Sequence, residues 1–313
     1  MGKKKFTGVS QFLARFRGWI QAGAALLTNL HLPNFLKGGL YQGAGKTVCV
    51  PGLNCYSCPA ASGACPIGAF QAVVGSSKFS FSYYITGILI LLGVLLGRFI
   101  CGFLCPFGWF QELLHKIPSR KLSTRKLKPL RYLKYAILLV MVFLLPAFLV
   151  NDVGMGDPFF CKYLCPQGVL EGAIPLSLAN SGIRAALGSL FTWKLGILLV
   201  VIVLSVLFYR PFCKWICPLG AFYALLNKVS LVQMKVDQSK CISCGKCARA
   251  CKMDVDVTKS PNHTECIRCG MCVRACPTNA VRFRCGFGTG KQGTVLPEKT
   301  NKQMNDIVKE KKS

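Results

Sequence analysis

Eight cysteines near the C-terminus carry the clearest chemistry. Cys241, Cys244, Cys247 and Cys251 are followed by Cys266, Cys269, Cys272, Cys276 and Pro277, two runs with the same spacing of two, two and three intervening residues. Thiolates are soft ligands that select iron–sulfur clusters or zinc. Paired runs of this length fit the bacterial two-cluster pattern, in which the fourth cysteine of each run ligates the other cluster. One [4Fe–4S] cluster is therefore expected on Cys241, Cys244, Cys247 and Cys276, and another on Cys266, Cys269, Cys272 and Cys251. Lys252 stands where a proline usually follows the fourth cysteine, which leaves the ligands untouched.

Upstream, a different pattern recurs. Cys65, Cys105, Cys165 and Cys217 each open a Cys-Pro-x-Gly segment followed by two apolar residues, and Cys101, Cys161 and Cys213 lie four positions before three of them. The stretch from Arg98 to Lys116 also matches the stretch from Arg210 to Lys228. Residues four apart share one face of a helix, so each Cys-x3-Cys pair is expected to aim two thiolates at one point. The proline opens a new helical segment, and the glycine permits close backbone approach. Pairing the repeats gives one four-thiolate site from Cys101, Cys105, Cys213 and Cys217. A second takes Cys161 and Cys165 with Cys65 and Cys58; Cys55 is the alternative to Cys58, and Cys49 is a spare. Two plainer readings compete. Free cysteines pack helix bundles as small apolar residues, and each pair could be a redox disulfide, although redox motifs favour two intervening residues.

These motifs need elements that hold them at two depths. A hydrocarbon core of about 30 Å takes about 20 helical residues. Residues 79–97, 135–151 and 195–209 are apolar runs bounded by charge, and residues 18–36 form a weaker run containing Gln21, Thr28, Asn29 and His31. The expected fold is a four-transmembrane-helix bundle of two tandem pseudo-repeats with a C-terminal bacterial-type two-cluster ferredoxin domain. Parallel repeats of this kind occur among membrane proteins. Loop 116–134 holds eight Lys and Arg residues, against three in 37–78 and two in 152–190. Basic loops stay cytoplasmic, so Cys101, Cys105, Cys213 and Cys217 form an inner site, and the group around Cys161 and Cys165 an outer one. The basic N-terminus also falls inside. A cleaved signal peptide fits poorly, because Ala22-Gly23-Ala24 precedes a long enough apolar run. The expected domains are 1–234, the transmembrane part; 235–285, the cytoplasmic ferredoxin part; and 286–313, a basic mobile tail. The expected location is the inner cell membrane, multi-pass, with both termini cytoplasmic.

Composition narrows the class. Of the 313 residues, 52% are hydrophobic and only 16% charged, where soluble domains carry roughly 25%. That excludes an ordinary soluble enzyme and a disordered chain. The length excludes a small secreted disulfide scaffold. A net charge of +28 would suit nucleic acid, but in a membrane protein it marks the cytoplasmic side, and no nucleic-acid partner is expected. Four clusters at about −2 each would lower that charge to roughly +20. Gly286 to Gly293 lacks the Ser/Thr of a phosphate loop, since Gln292 takes that place. Cys285 has no partner in sequence. Asn262-His263-Thr264 is a glycosylation acceptor that a cytoplasmic site cannot use. His31 is a candidate proton acceptor from quinol, with a hydrogen-bonded helix-end role the plainer reading. Without Cys-x-x-Cys-His, covalent haem is not expected.

Residues 12–285 resemble the membrane-bound polyferredoxins of the NapH and NosR type. Carriers of the resemblance are Cys101 to Pro106, Cys213 to Pro218, the eight ferredoxin cysteines, and Pro51-Gly52-Leu53-Asn54-Cys55-Tyr56-Ser57-Cys58-Pro59. It implies a four-helix electron carrier with a two-cluster ferredoxin at the cytoplasmic end, to which the paired repeats add two expected [4Fe–4S] clusters in the membrane part. It also implies electron exchange between the cytoplasm or quinone pool and a redox partner outside, such as a flavoprotein. The resulting expectation is a transmembrane electron wire, with bond chemistry left to partners. A quinol dehydrogenase subunit of an anaerobic respiratory system and a thiol/disulfide reductant exporter are the alternatives. An iron-sensing regulator ranks behind them.

Overall fold

The computed structural model describes residues 2–76, 82–152 and 154–286. From residue 287 onward, the expected tail lies outside the described residues.

Among the described residues two helices, not four, are long and apolar enough to cross a bilayer. They are Leu127–Phe148, at 22 residues, and Ser189–Leu207, at 19. Only 28% and 17% of their apolar windows are buried, whereas the core helix of a soluble protein would be mostly buried. Leu139, Phe148, Leu199, Val200 and Val203 are exposed along them, an arrangement suited to lipid. Both helices are candidate membrane spans, and the expected four-transmembrane-helix bundle is not supported.

The other two expected spans fail for different reasons. We label the long helices α1 (Gly2–Thr28), α2 (Tyr83–Leu95), α3 (Leu127–Phe148) and α4 (Ser189–Leu207). Residues 18–36 were expected to cross, yet α1 ends at Thr28, a turn follows, and a short helix resumes at Asn34. Further back, α1 binds the C-terminal part of the chain. Ser10 Oγ accepts from the Phe283 amide at 3.1 Å, and Gln11 donates to Asn279 at 2.6 Å. α2 has 13 residues, or about 20 Å at 1.5 Å per residue, short of a 30 Å core.

The Cys-Pro segments share one local form. Each short helix, Phe99–Phe103, Phe160–Leu164 or Pro211–Trp215, ends just before the second cysteine of its pair. Cys65, Cys105, Cys165 and Cys217 all have extended backbone, and at Cys65, Cys105 and Cys217 the proline is the first residue of the next helix. A residue before proline avoids the helical region, so the helix must break there. The two thiols of a pair therefore sit on either side of a break, not on one helical face.

The C-terminal part closes on an antiparallel pair, β1 (Val232–Val236) with β2 (Val281–Cys285), in register Met234 to Phe283. Between the strands the two cysteine runs fold alike. Ser243 and Arg268, each two residues after the first cysteine of its run, have φ of 53° and 52°, and Gly245 and Gly270 have 67° and 77°. Cys285 lies exposed on β2.

Candidate metal centres

Cys101, Cys105, Cys213 and Cys217 line one cavity, with Leu53, Phe107 and Tyr223 among its other walls. All four thiols are buried, and no charged side chain lines the space. Two buried arginines brace it from outside, one from each repeat. Arg210 donates to the Cys101 carbonyl and pairs with Glu112 at 2.8 Å. Arg98 reaches the Cys213 carbonyl at 3.5 Å. Each arginine thus ties its own repeat to the cysteine of the other. Sequence reading found the matched Arg98 and Arg210 without assigning them this part.

A second group forms from Cys55, Cys65, Cys161 and Cys165. Cys165 interacts electrostatically with the other three, and Cys65 with Cys161 and Cys55. Of the two residues open for the fourth place, Cys55 is the one beside these thiols. Cys58 turns toward Asn29 Oδ1 at 3.6 Å and packs with Ala60 and Ala61. Cys49 bridges to Ala64 instead. Lys194 donates to the Cys161 carbonyl at 3.0 Å, and the Glu171 carboxylate accepts from the Cys55 amide at 3.1 Å. Cys55→Ser should therefore remove about four irons per chain, whereas Cys58→Ser should keep the full complement. Iron analysis of anaerobically purified variants decides between them, and the reverse pattern would restore Cys58 to the site. His31, beyond the end of α1, stacks on Tyr41 with ring centroids 3.7 Å apart.

The ferredoxin part supplies a second cavity. Cys251 lines it together with Cys266, Cys269 and Cys272, although it belongs to the other run. Cys247 and Cys241 interact in the remaining group, where the Cys276 sulfur accepts from the Ala280 amide at 3.3 Å.

The donor sets fit iron–sulfur clusters. Among the described residues no three His, Cys, Asp or Glu side chains converge closely enough to hold a single ion. In two of the groups four thiols line a cavity instead, as a cluster with one thiolate per iron requires. Burial pushes the Cys105 thiol up to about 12 and that of Cys266 to about 11. Neither ionises unaided at neutral pH, so metal loading must displace these protons.

Family comparisons match the same segments. A model described as "4Fe-4S binding domain" matches residues 63–84, 80–125, 134–174 and 190–237, one for each Cys-Pro-x-Gly motif. A second model of that description matches residues 234–255 and 260–282. Ferredoxin-type protein NapH of Haemophilus influenzae is 26% identical over 179 residues, covering 56% of this chain and 54% of that protein. Methylamine utilization ferredoxin-type protein MauN of Methylorubrum extorquens is 27% identical over 198 residues, with 61% and 56% covered. Putative electron transport protein YccM of Escherichia coli is 27% identical over 179 residues, with 54% and 45% covered. The chain belongs to the polyferredoxin family. Its cofactors are [4Fe–4S] clusters. This polyferredoxin matches about half the length of each of these curated relatives. No solved structure matches it.

The cysteine groups of this polyferredoxin lie close to one another along the chain's folded path. Leu53, whose backbone amide bonds the Cys105 sulfur, stands two residues before Cys55 of the second group. Two residues span at most about 7 Å. The segment 51–55 therefore dips from one centre to the next, with the Pro51 carbonyl accepting from Tyr223 at 3.1 Å. Such irregular backbone is tolerated at depth where protein buries it. On the other flank, a Cβ on Gly102 would collide with the Ile267 carbonyl, and Cys269 Cα lies close by. The ferredoxin part is bolted there by buried polar contacts. Arg98 and Lys134 pair with Glu265 at 2.9 and 2.5 Å, and Arg268 donates to the Leu96 carbonyl at 2.9 Å. Lys214 and Arg131 reach Asp254 at 3.2 and 3.3 Å. Part of the basic loop thus serves as a dock, which loop charge alone does not reveal.

Proposed function

We propose that this polyferredoxin conducts electrons across a membrane through four [4Fe–4S] clusters in series. The order is Cys241/Cys244/Cys247/Cys276, then Cys251/Cys266/Cys269/Cys272, then Cys101/Cys105/Cys213/Cys217, then Cys55/Cys65/Cys161/Cys165. The single observation that carries this reading is the contact between successive centres at Gly102 and along 51–55. Electron tunnelling falls steeply with distance, and a core of about 30 Å is too wide for one hop between soluble carriers.

Helix α4 supports the transmembrane part. Lys194, in its first turns, contacts Cys161. At its other end the Leu207 carbonyl accepts from the Leu122 amide, and Arg210 follows at the Cys101 site. From Lys194 to Leu207 the helix rises about 20 Å. The basic loop 116–134 and the ferredoxin part share one side, which by the positive-inside rule is cytoplasmic. The Cys161 group then faces outward, toward a redox partner in the extracytoplasmic space. When bound, the clusters supply one-electron redox chemistry. The chain itself positions them, keeps water from the buried pair, and sets the electrostatics with Arg98, Arg210, Lys194 and Glu171.

Four clusters mean about 16 irons and matching acid-labile sulfide per chain. Protein purified anaerobically and fully loaded should reach that value. About 8 irons would leave only the ferredoxin clusters and end the wire.

A further inference from the structure

Two buried glutamines are built into the two membrane centres in the same way. Gln111 lies six residues after Cys105, and Gln71 six residues after Cys65. Gln111 Nε2 donates to the Cys213 sulfur at 3.2 Å and to the Phe107 carbonyl at 3.3 Å, while its Oε1 accepts from the Phe212 amide at 3.2 Å. Gln71 Nε2 donates to the Cys161 sulfur at 3.1 Å and to the Ile67 carbonyl at 3.2 Å, while its Oε1 accepts from the Phe160 amide at 3.0 Å. Both side chains are fully buried. Every partner of one is the repeat counterpart of a partner of the other.

The amide orientation follows from the backbone. An N–H can only donate, so the Phe160 and Phe212 amides fix the glutamine oxygens toward themselves. The NH2 groups are left pointing at the Cys161 and Cys213 sulfurs. At the matching positions of the second half stand Glu171 and Tyr223. Glu171 accepts from the Cys55 amide and Tyr223 donates to the Pro51 carbonyl. Each centre therefore receives one amide from the first half, aimed at a sulfur of the second.

We propose that Gln71 and Gln111 are matched redox-tuning residues, each raising the potential of one membrane cluster through an N–H···S hydrogen bond. The inference rests on reading both cysteine groups as cluster sites. A donor at a cluster sulfur favours the reduced form, which carries the extra negative charge, and hydrogen bonds to sulfur are among the determinants of cluster potential. Because the two centres carry the same device, both potentials rise together and the step between them is preserved. The bond to the preceding phenylalanine amide also locks the backbone that presents the ligand, so a readout separating tuning from packing is needed.

The test is a redox titration of the full chain, followed by electron paramagnetic resonance, with iron counted in every sample. Gln111→Glu keeps the side-chain volume and the acceptor for Phe212 but loses the N–H donor. Gln111→Leu loses both. Cys101→Ser identifies the signal of the inner centre by removing it. At an ambient potential equal to the wild-type midpoint, both Gln111 variants should lower the reduced-to-oxidised ratio of that signal about tenfold, which is ~59 mV for one electron. The other three signals should stay in place. Gln71→Glu and Gln71→Leu should do the same to the outer signal alone. Full iron with unmoved midpoints would overturn the tuning role while leaving the four-cluster reading intact. Loss of the inner cluster in both Gln111 variants would overturn it in favour of a purely structural clamp. A wild-type count of about 8 irons would overturn the four-cluster reading, and the tuning role with it.

Discussion

Cys101→Ser and Cys217→Ser should give the same phenotype, although they lie in opposite halves of the chain. Both line one cavity, and each is assigned one corner of one cluster. Losing either should abolish electron flow between the ferredoxin part and the outer centre. The eight ferredoxin cysteines are complete without them, so about 8 of about 16 irons, plus those of the outer centre, should remain. Residues that act as a unit are not additive, so the double variant should be no worse than either single one. Normal conduction by Cys101→Ser beside a dead Cys217→Ser would break the shared-site assignment. The Cys-x3-Cys-Pro motif at Cys101 would then revert to packing.

Glu265→Gln should be the most disruptive single change outside the cysteines. Arg98 and Lys134 both pair with this carboxylate and are fully buried. Removing one member of a buried charge group costs about 3–5 kcal/mol, because the partners stay buried and unpaired. Thr264 to Cys269 packs against the inner centre through Arg98 and Gly102, so the lost free energy falls on the dock. Amide hydrogen exchange should speed up there and electron transfer to the inner centre should slow. Unchanged exchange would refute the docking role. Adding Lys134→Met should recover part of the loss, since one orphaned charge goes with it.

The same carboxylate gives the dock a pH limit. Burial alone would raise the Glu265 pKa, but Arg98 and Lys134 outweigh it and hold the group at about 2. An unfolded glutamate titrates near about 4.3. Its folded pKa is depressed, so the stabilisation is fully present above the unfolded value and is lost as pH falls through about 2. The dock should thus weaken between about pH 4 and pH 2, and Glu265→Gln should remove that dependence.

Cysteine motifs were more legible in the sequence than the elements that carry them. Spacing within a motif is local, so the ferredoxin runs and the Cys-x3-Cys pairs could be read directly, while the internal repeat suggested grouping Cys101/Cys105 with Cys213/Cys217, four residues that line one cavity. Apolar runs say little about where a helix stops. Residues 18–36 are uncharged, yet α1 ends at Thr28, whose hydroxyl turns back on the Ala24 carbonyl at 2.9 Å. Residues 83–95 are helical but too short to span. Each Cys-x3-Cys pair read as one helical face because the pattern counts residues, while the proline after the second cysteine forces a break. The descent of Pro51 to Cys55 between two centres depends on distant partners, Cys105 and Tyr223. Gly52 leaves no room for a Cβ against Cys105 Cα. The two glutamines gave a usable signal, a polar residue at the same offset from two Cys-Pro motifs.

The central claim is conduction across the membrane, and sealed liposomes holding the oriented, fully loaded protein test it most directly. A membrane-impermeant reductant is added outside, and a ferredoxin-linked dye inside reports arriving electrons. The account predicts dye reduction by the wild-type chain at a rate proportional to protein, and none above protein-free liposomes with Cys101→Ser. Dye reduction that is equal in both, or absent from wild-type protein carrying about 16 irons per chain, would contradict it.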